Sequence, residues 1–391
     1  MDRMHELVEE LDKHIYNYYV LDKPTISDAE YDKLYDELVK LEKESGIILP
    51  NSPTQRVGGE VLEGFKKHKH EIQLFSLDKC QSAVELEKWV DDIKKVLPSA
   101  TFAVEYKFDG LTLVCKYNNG YFVEASTRGN GVVGEDVSEQ AKTIRSVPLK
   151  IPFKGELLLQ GEGMITLSNL AEYNKKATEP LKNARNAVAG AIRNLDPKET
   201  AKRKLDWFTY QILKCENKTF KTQEEMHEFL HNNGFKTGDY FKICSSFKEI
   251  WTEIEHIGKI KKSLDILMDG VVIKLNQVEH RDEFGYTAKF PKWAIAYKFE
   301  AEELSTTLKD VVWQVGRTGK ITPIAVIEPV ELAGACIKRA TLNNMGDIER
   351  KKVKVGSRVF VRRSNEVIPE ILGLAEDTVD SKEIVPPETC P

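Results

Sequence analysis

The amino-acid sequence predicts an α+β protein with several domains. Three patterns support this prediction. Apolar residues recur at helical spacing in the first part of the chain, alternate at strand spacing from about residue 101, and form short runs with glycine turns after about residue 303. Their order predicts a helical N-terminal unit, a larger mixed domain and a small C-terminal β-barrel. At 391 residues, the chain has room for two to four domains.

The composition is that of a globular protein without a membrane span. Hydrophobic residues make up 41% of the chain and charged residues 30%, which is ordinary for such proteins. No run of about twenty apolar residues occurs, and the charged residues 1–6 lack the apolar core of a signal peptide. We therefore predict a cytoplasmic protein with no membrane partner, and we expect it to be a monomer.

The charge of the chain is unevenly distributed, which bears on the ligands that it can bind. The net charge is −5, yet residues 303–363 hold 12 Lys or Arg residues against 6 Asp or Glu residues. Such a basic cluster can bind a polyanion or be a solvated surface.

No Cys-x-x-Cys pair occurs, so no complete zinc site or disulfide framework is predicted. Cys115 alternates with apolar neighbours and is predicted to be core, whereas Cys390, near the chain end, is a candidate first ligand of an incomplete metal module.

Two helices are predicted at the N-terminus. Leu7, Leu11 and Ile15 recur at helical spacing over residues 3–20, after which Pro24 interrupts the pattern. Ser27 and Glu30 have the spacing of a capping box, which predicts the start of a second helix. The tyrosines of both helices are either ordinary core or a surface that stacks on a planar cationic ring beside the neighbouring aspartates.

A strand over residues 102–107 ends where a lysine lies between two carboxylate residues. Glu105, Lys107 and Asp109 are spaced by two, so a strand would place them on one face. Gly110 would let the backbone turn or approach a ligand closely. Taken alone, the pattern favours a surface strand with one salt bridge, because so short a motif often arises by chance.

Two later strands repeat this design and change the interpretation. Lys274 interrupts an apolar run, and Lys298 lies in an aromatic strand. One such lysine is explained by an edge position from which the ammonium reaches solvent, but three indicate a cleft that holds an anion, with phosphate the natural candidate. Arg128 adds a glycine-rich loop of a type that can bind anions. Carboxylates available there for Mg²⁺ or a ribose are Glu105, Asp109, Glu162 and Asp269.

The last part of the chain predicts a small barrel. Short strands are expected near residues 307–315, 320–329, 333–340, 357–362 and 367–373. Five short strands with glycine turns and a basic surface are typical of a fold such as the OB-fold.

In order along the chain, the sequence resembles the motifs of nucleotidyltransferases, which include DNA ligases, RNA ligases and capping enzymes: Lys107-x-Asp109-Gly110, Arg128-Gly129, Gly161-Glu162-Gly163, Asp269-Gly270-Val271-Val272-x-Lys274 and Ala296-Tyr297-Lys298-Phe299. Other stretches resemble NAD-dependent DNA ligases in particular: Tyr18-Tyr19-Val20, Ser27-Asp28-Ala29-Glu30-Tyr31-Asp32, Ser76-Leu77-Asp78 and Gly316-Arg317-Thr318-Gly319. The resemblance covers essentially the whole chain. It departs from the family at Tyr19, where a histidine is common, and at Asn344, where a histidine is usual.

The resemblance implies four segments. They are an NMN-binding helical unit at residues 1–62, an adenylation (nucleotidyltransferase) domain at 63–302, an OB-fold at 303–380 and a tail at 381–391. In the family a zinc finger, a helix-hairpin-helix domain and a BRCT domain follow, so the resemblance implies a truncated protein in which Cys390 would be the first Zn²⁺ ligand.

The family seals single-strand nicks in duplex DNA, joining a 5′-phosphate to a 3′-OH. By resemblance, Lys107 would attack NAD to form lysyl-AMP and release nicotinamide mononucleotide (NMN), with Mg²⁺ or Mn²⁺ as the metal. The attacking amine must be uncharged. Nearby cations and partial desolvation would favour that form, whereas nearby carboxylates would oppose it.

The resemblance also assigns binding residues. The adenosine half of NAD and its phosphates would be bound by Ser76, Leu77, Glu105, Arg128, Glu162, Tyr210, Lys274 and Lys298. The NMN half would be bound by Tyr18, Tyr19, Asp28, Tyr31 and Asp32. Duplex DNA would be bound by Arg185, Arg193, Arg317, Thr318, Val367 and Ile368.

Two alternatives stay open. An ATP- or GTP-dependent RNA ligase or capping enzyme shares the lysine motifs, but the N-terminal tyrosines and aspartates argue against it. A catalytically silent DNA-binding relative is the other alternative, and the presence of Lys107, Glu162, Lys274 and Lys298 argues against that.

Overall fold

The computed structural model describes residues 2–21, 23–56, 63–181, 183–299, 303–332, 335–364 and 368–391. They fall into two compact units, Met1–Lys298 and Phe299–Pro391. Val367 and the side chain of Asp28 lie outside what the structure describes. The predicted domain boundaries at residues 62, 302 and 380 stay predictions.

Two helices open the first unit, α1 (Asp2–Tyr19) and α2 (Asp28–Ser45). The predicted capping box is confirmed, because the Ser27 side chain accepts from the Glu30 N–H and the Glu30 side chain accepts from the Ser27 N–H. A short 3-10 helix, Pro53–Arg56, follows. The apolar faces of the helices enclose a small buried core of Met4, Leu7, Val8, Leu11 and Leu38.

The first unit contains eight further α-helices among its described residues: α3 (Ala83–Val96), α4 (Ser138–Lys142), α5 (Leu167–Lys176), α6 (Ala184–Ile192), α7 (Pro197–Lys202), α8 (Gln223–Asn232), α9 (Phe247–Ile260) and α10 (Arg281–Phe284). The sequence pattern also predicts helices near residues 166–178, 183–195, 222–231 and 247–261, and these are confirmed as α5, α6, α8 and α9. Helix α3 was not predicted, although Ser82 and Glu85 form a capping box at its start.

The strands of this unit are β1 (Lys67–Lys69), β2 (Asp78–Cys80), β3 (Phe102–Phe108), β4 (Leu111–Asn118), β5 (Tyr121–Thr127), β6 (Val133–Glu135), β7 (Leu157–Met164), β8 (Asp206–Cys215), β9 (Phe241–Cys244), β10 (Met268–Leu275) and β11 (Ala294–Lys298). They form a five-stranded sheet in the order β2-β11-β10-β3-β9, a four-stranded sheet in the order β5-β4-β7-β8, and a β1-β6 pair.

The five-stranded sheet makes the three lysine-bearing strands neighbours. Gly270 of β10 pairs with Lys107 of β3 on one side and with Lys298 of β11 on the other. The β3–β10 register shifts between Met268 and Gly270, so Asp269 is an extra residue in β10. A bulge of this kind can turn a side chain toward a face that the regular alternation would deny it.

The main core of the first unit packs the four-stranded sheet against α4, α6 and α8. Trp207, Tyr117 and Phe235 are its largest fully buried side chains. Cys115 is fully buried in the same core, as predicted. Helix α6 presents mostly small side chains to this core, among them Ala187 and Ala191, which lets its backbone approach the sheet closely.

The second unit is a closed barrel in the order β12-β13-β14-β16-β15, which confirms the prediction of five short strands. The strands are β12 (Glu303–Val315), β13 (Ile321–Leu332), β14 (Ala335–Thr341), β15 (Arg358–Ser364) and β16 (Ile368–Glu376), with helix α11 (Met345–Lys351) between β14 and β15. Among the helices that the structure describes, none is long and apolar enough to cross a bilayer.

Candidate active site

A cavity of about 700 Å³ is lined by strands of both larger sheets in the first unit. Lys107, Lys274 and Lys298 all line it. So do the other residues predicted to bind the adenosine half and the phosphates: Ser76, Leu77, Glu105, Arg128, Glu162 and Tyr210. The lysines of three separate strands therefore line one cavity.

Asp269 links two of these lysines. Its Oδ1 atom lies 2.6 Å from Lys107 Nζ and its Oδ2 atom lies 2.8 Å from Lys298 Nζ. The Asp269 side chain is only 4% exposed, while the lysines remain 22% and 29% exposed. One buried carboxylate thus holds two ammonium groups at the cavity wall, where an anionic ligand can still reach them.

Lys274 is held by a second carboxylate. Its ammonium donates to Glu105 Oε2 at 2.8 Å and to the Tyr210 carbonyl oxygen at 2.9 Å. Burial lowers the pKa of Lys274, and the charge of Glu105 opposes that change. Gln223 Nε2 donates to the other oxygen, Glu105 Oε1, at 3.1 Å. Both Glu105 oxygens thus have protein donors.

Arg281 supports this network and was missed by sequence reasoning. Its Nη2 donates to Gln223 Oε1 at 2.9 Å, its Nε donates to the Leu275 carbonyl at 3.0 Å, and its guanidinium lies 4.1 Å from the Trp293 ring centroid. Burial lowers the pKa of Arg281 to about 9. No motif marks Arg281 or Gln223. They meet only because α8 and α10 both pack beside the end of β10.

Glu162 lies on the opposite wall, on β7. Its Oε2 accepts from Thr112 Oγ1 at 3.1 Å and lies 3.5 Å from the Tyr210 hydroxyl. Burial raises the pKa of Glu162 to about 7, although the Thr112 hydrogen bond acts in the opposite direction. This carboxyl group therefore changes charge within the neutral pH range.

Arg128 reaches the cavity from the loop after β5. Its Nη1 donates to Ser76 Oγ at 3.2 Å, and its carbonyl oxygen lies 3.1 Å from His70 Nε2. Gly129 adopts a φ of +53°, and a Cβ there would lie 2.0 Å from the Val133 carbonyl oxygen. The tight loop therefore requires glycine at this position.

The residues predicted to bind DNA lie in both units. Arg185 and Arg193 line the cavity, where Arg185 Nη1 lies 2.7 Å from Asp109 Oδ1 and Arg193 Nε lies 3.6 Å from Glu135 Oε2. In the second unit, Arg317 and Thr318 are exposed in the β12–β13 turn, and Ile368 is 58% exposed at the start of β16.

The predicted NMN-binding residues are elsewhere. Every described residue that lines the cavity lies between Ile72 and Lys298, so the structure does not bring α1 or α2 to it. Tyr18 and Tyr19 have ring centroids 4.6 Å apart, Tyr31 is half-buried and Asp32 is exposed. Burial raises the pKa of Tyr31 to about 12.

Within the described part of the chain, no group of three or more His, Cys, Asp or Glu residues is placed to hold a metal. Asp269, Asp109 and Glu105 each contact a cationic side chain instead. Cys390 is exposed near the chain end. Because Mg²⁺ commonly takes most of its ligands from water and substrate phosphates, the predictions of Mg²⁺, Mn²⁺ and Zn²⁺ stay predictions.

Comparison with known protein families identifies three domains in the chain. The NAD-dependent DNA ligase adenylation domain matches residues 62–302, the corresponding OB-fold domain matches residues 305–383, and the DNA ligase-like N-terminal NAD⁺-binding domain matches residues 1–58. The fold is that of an adenylation domain joined to an OB-fold domain. The chain belongs to the NAD-dependent DNA ligase family.

Individual relatives of the chain are also DNA ligases. The chain is 54% identical over 396 residues to a DNA ligase of Alkaliphilus oremlandii, with 100% of this chain and 60% of that protein covered. It is 52% identical over 402 residues to a DNA ligase of Finegoldia magna, with 100% and 61% covered. The chain thus spans about 60% of the length of these relatives. A solved Lig E DNA ligase gives a TM-score of 0.40 at 13% identity over 70% of this chain and 92% of that one, too remote to support a conclusion.

Proposed function

We propose that this chain forms lysyl-AMP from NAD and seals single-strand nicks in duplex DNA. The observation that carries the proposal is the position of Lys107 Nζ. It lies at the wall of the cavity, held by Asp269 beside Lys298, in a domain that matches the family's adenylation domain.

In the first step, Lys107 Nζ attacks the α-phosphorus of NAD that bears adenosine. A P–N bond forms, the pyrophosphate P–O bond breaks, NMN leaves with the bridging oxygen, and the amine loses its proton. Only an uncharged amine has the lone pair that the attack needs, so the proton must leave first. Asp269 is the nearest acceptor, at 2.6 Å.

The cations around Lys107 suit the charge on the transferring phosphoryl group. Lys298, Lys274 and Arg128 line the same cavity, and fixed positive groups stabilise charge that develops on phosphoryl oxygens. Glu162 is suited to a ribose hydroxyl, Tyr210 to stacking on adenine and Glu105 to the adenine amine. Ser76 and Leu77 complete the wall on the Arg128 side.

Two further transfers complete sealing. A DNA 5′-phosphate oxygen attacks the AMP phosphorus and frees Lys107, and the 3′-OH then attacks the activated 5′-phosphorus and releases AMP. Arg185, Arg193, Arg317, Thr318, Val367 and Ile368 are proposed to contact the duplex. The basic residues among them suit the phosphate backbone, and exposed Ile368 suits an apolar contact.

The choice of NAD depends on α1 and α2. Tyr18, Tyr19, Asp28, Tyr31 and Asp32 are proposed to hold the NMN half. Of these, the side chains that the structure describes, those of Tyr18, Tyr19, Tyr31 and Asp32, do not line the cavity. We infer that the helices move to the cavity when NAD binds. An ATP-dependent enzyme would need no such second half-site.

Intact-mass measurement after incubation with NAD and Mg²⁺ tests the proposal. The chain is expected to gain one AMP group with NAD and none with ATP or GTP. Lys107→Ala should show no gain, whereas Lys88→Ala, which removes an exposed lysine on α3, should gain AMP normally. An AMP adduct on the Lys107→Ala chain would show that another residue is the nucleophile.

A sealing assay tests the DNA step. The chain should join a nicked duplex with NAD, and the Lys107→Ala chain should still join a nick that is already adenylated. Gain of AMP from ATP or of GMP from GTP would instead favour the RNA ligase or capping-enzyme alternative, and failure to gain a nucleotide from any donor would favour a silent DNA-binding relative.

A further inference from the structure

Arg145 lies against Tyr19, one of the residues proposed to bind the NMN half of NAD. It belongs to the turn after α4, on the body that contains the cavity. Its Nη1 donates to the Tyr19 hydroxyl at 2.7 Å, and its guanidinium carbon lies 5.0 Å from the Tyr19 ring centroid. This is a cation–π contact combined with a hydrogen bond.

The charge of Arg145 also influences other tyrosines of the helical pair. Burial raises the pKa values of Tyr31 and Tyr35, and the positive charge of Arg145 acts in the opposite direction on both. The charge of Arg145 therefore acts on three tyrosines at once. Two of these, Tyr19 and Tyr31, are among the proposed NMN-binding residues.

A buried arginine fixes this arrangement. Arg56, in the segment that follows α2, donates from Nη1 to the carbonyl oxygens of Lys142, Ile144 and Val147 at 3.2, 3.1 and 3.0 Å. These three carbonyls flank Arg145 in sequence. Arg56 thereby holds the Arg145 turn against the helical pair, and the Lys150–Glu9 ion pair at 3.5 Å adds a contact across the same boundary.

We propose that Arg145 occupies the place of the nicotinamide cation and must leave Tyr19 before the NMN half of NAD can bind. The inference rests on the proposed function, because it takes NAD as the ligand. The nicotinamide ring of NAD and the guanidinium of Arg145 are both planar cations that stack on an aromatic face. The face of Tyr19 that Arg145 covers cannot receive both.

Because Arg145 and the nicotinamide ring compete for Tyr19, adenylation needs a higher NAD concentration. A binding-competent state that is only partly populated weakens apparent affinity in proportion to its population. Breaking one cation–π contact and one hydrogen bond shifts such an equilibrium by about tenfold. Arg145 therefore keeps the helical pair docked away from the cavity until NAD displaces it.

The test is the NAD concentration that gives half-maximal single-turnover adenylation. For Arg145→Gln it is expected to fall about tenfold below wild type. Arg145→Lys keeps the charge but lacks the planar fork, and a smaller decrease is expected. Lys142→Gln is the control. It removes a nearby charge that pairs with Glu139 on the same helix, and its half-maximal NAD concentration should match that of wild type. Sealing of a pre-adenylated nick should be equal in all four proteins.

The two Arg145 variants can give results that contradict the inference. An unchanged or higher half-maximal concentration for both Arg145 variants overturns the inference, and a higher one would make Arg145 a ligand of NMN. Calorimetric titration with NMN separates this failure from failure of the proposed function. If the wild-type chain forms no adenylate from NAD, the proposed function fails. In that event, tighter NMN binding by Arg145→Gln still supports the competition, and equal binding rejects it.

Discussion

At the scale of single residues, Asp269 controls the site. It is the one described carboxylate that contacts both Lys107 and Lys298. Its near-complete burial fixes its position, so the two ammonium groups are oriented by a rigid partner. A lysine with a flexible four-carbon stem would otherwise sample many positions.

Asp269→Asn is therefore expected to slow adenylation by about 100-fold, because an amide cannot form two ion pairs and the lysines lose their alignment. The rate of AMP incorporation measures this. Asp92→Asn, which removes an exposed carboxylate paired with Lys95, is the control. Near-normal adenylation by Asp269→Asn would show that Lys107 needs no such partner.

Glu162 predicts a pH effect on stability. Its pKa is about 7 in the folded chain against an ordinary value of 4.5, so the folded state binds the proton more tightly. The stabilisation from this group is complete below about pH 4.5 and is lost as the pH rises through about 7. The free energy of unfolding of wild type, relative to Glu162→Gln, should thus fall over this range in denaturant titrations. A constant difference would contradict the raised pKa.

At the scale of elements, the bulge in β10 places Asp269 beside Lys107 and Lys298. Without the extra residue, regular alternation would carry Asp269 away from the face shared by Lys107 and Lys298. Gly270 follows the bulge and pairs with both lysines across the sheet. A Cβ at Gly270 would lie 2.1 Å from the Tyr297 carbonyl oxygen, so β10 and β11 can approach only with glycine there.

Gly270→Ala is expected to push β11 away from β10 and to lower the free energy of unfolding by about 1–3 kcal/mol. Adenylation should fall as well, because Lys298 moves with β11. Gly64→Ala is the control, since a Cβ at Gly64 meets no atom within 4 Å. Unchanged stability and activity in Gly270→Ala would show that the strands can separate without cost.

At the scale of the whole molecule, the proposed reaction with NAD requires parts that lie apart in this structure. The cavity holds the proposed adenosine and phosphate residues, while the helical pair holds the proposed NMN residues. The two groups must meet around one dinucleotide. Only the first of the three proposed steps needs that meeting.

Asp32→Ala should therefore raise the NAD concentration for half-maximal adenylation by about tenfold or more, the loss expected for one charge-assisted hydrogen bond. Sealing of a pre-adenylated nick should stay normal. Asp36→Ala, an aspartate one turn later on the same helix, is the matched control. Equal loss in both assays would count against a separate NMN half-site.

Much of the fold followed from local patterns. Helical spacing and the Ser27–Glu30 box predicted α1 and α2. The dipeptide Asn119-Gly120 lies between two alternating runs, which is a strong hairpin signal, and the structure has the β4–β5 hairpin there with positive φ at both residues. Helix α11 was missed, because its seven residues are too short for a periodic pattern to show. Helix α3 was also missed, although it has 14 residues and a capping box, so local signals located many elements but not all of the longer ones.

The sequence by itself determined which side chains could form the site, because strand alternation places Lys107, Lys274 and Lys298 with defined neighbours on defined faces. Only the tertiary structure decided how they are used. The bulge at Asp269, the support of Glu105 by Gln223 and Arg281, and the contact of Arg145 with Tyr19 join residues far apart in the chain. Packing between elements sets such contacts, and no local pattern encodes them.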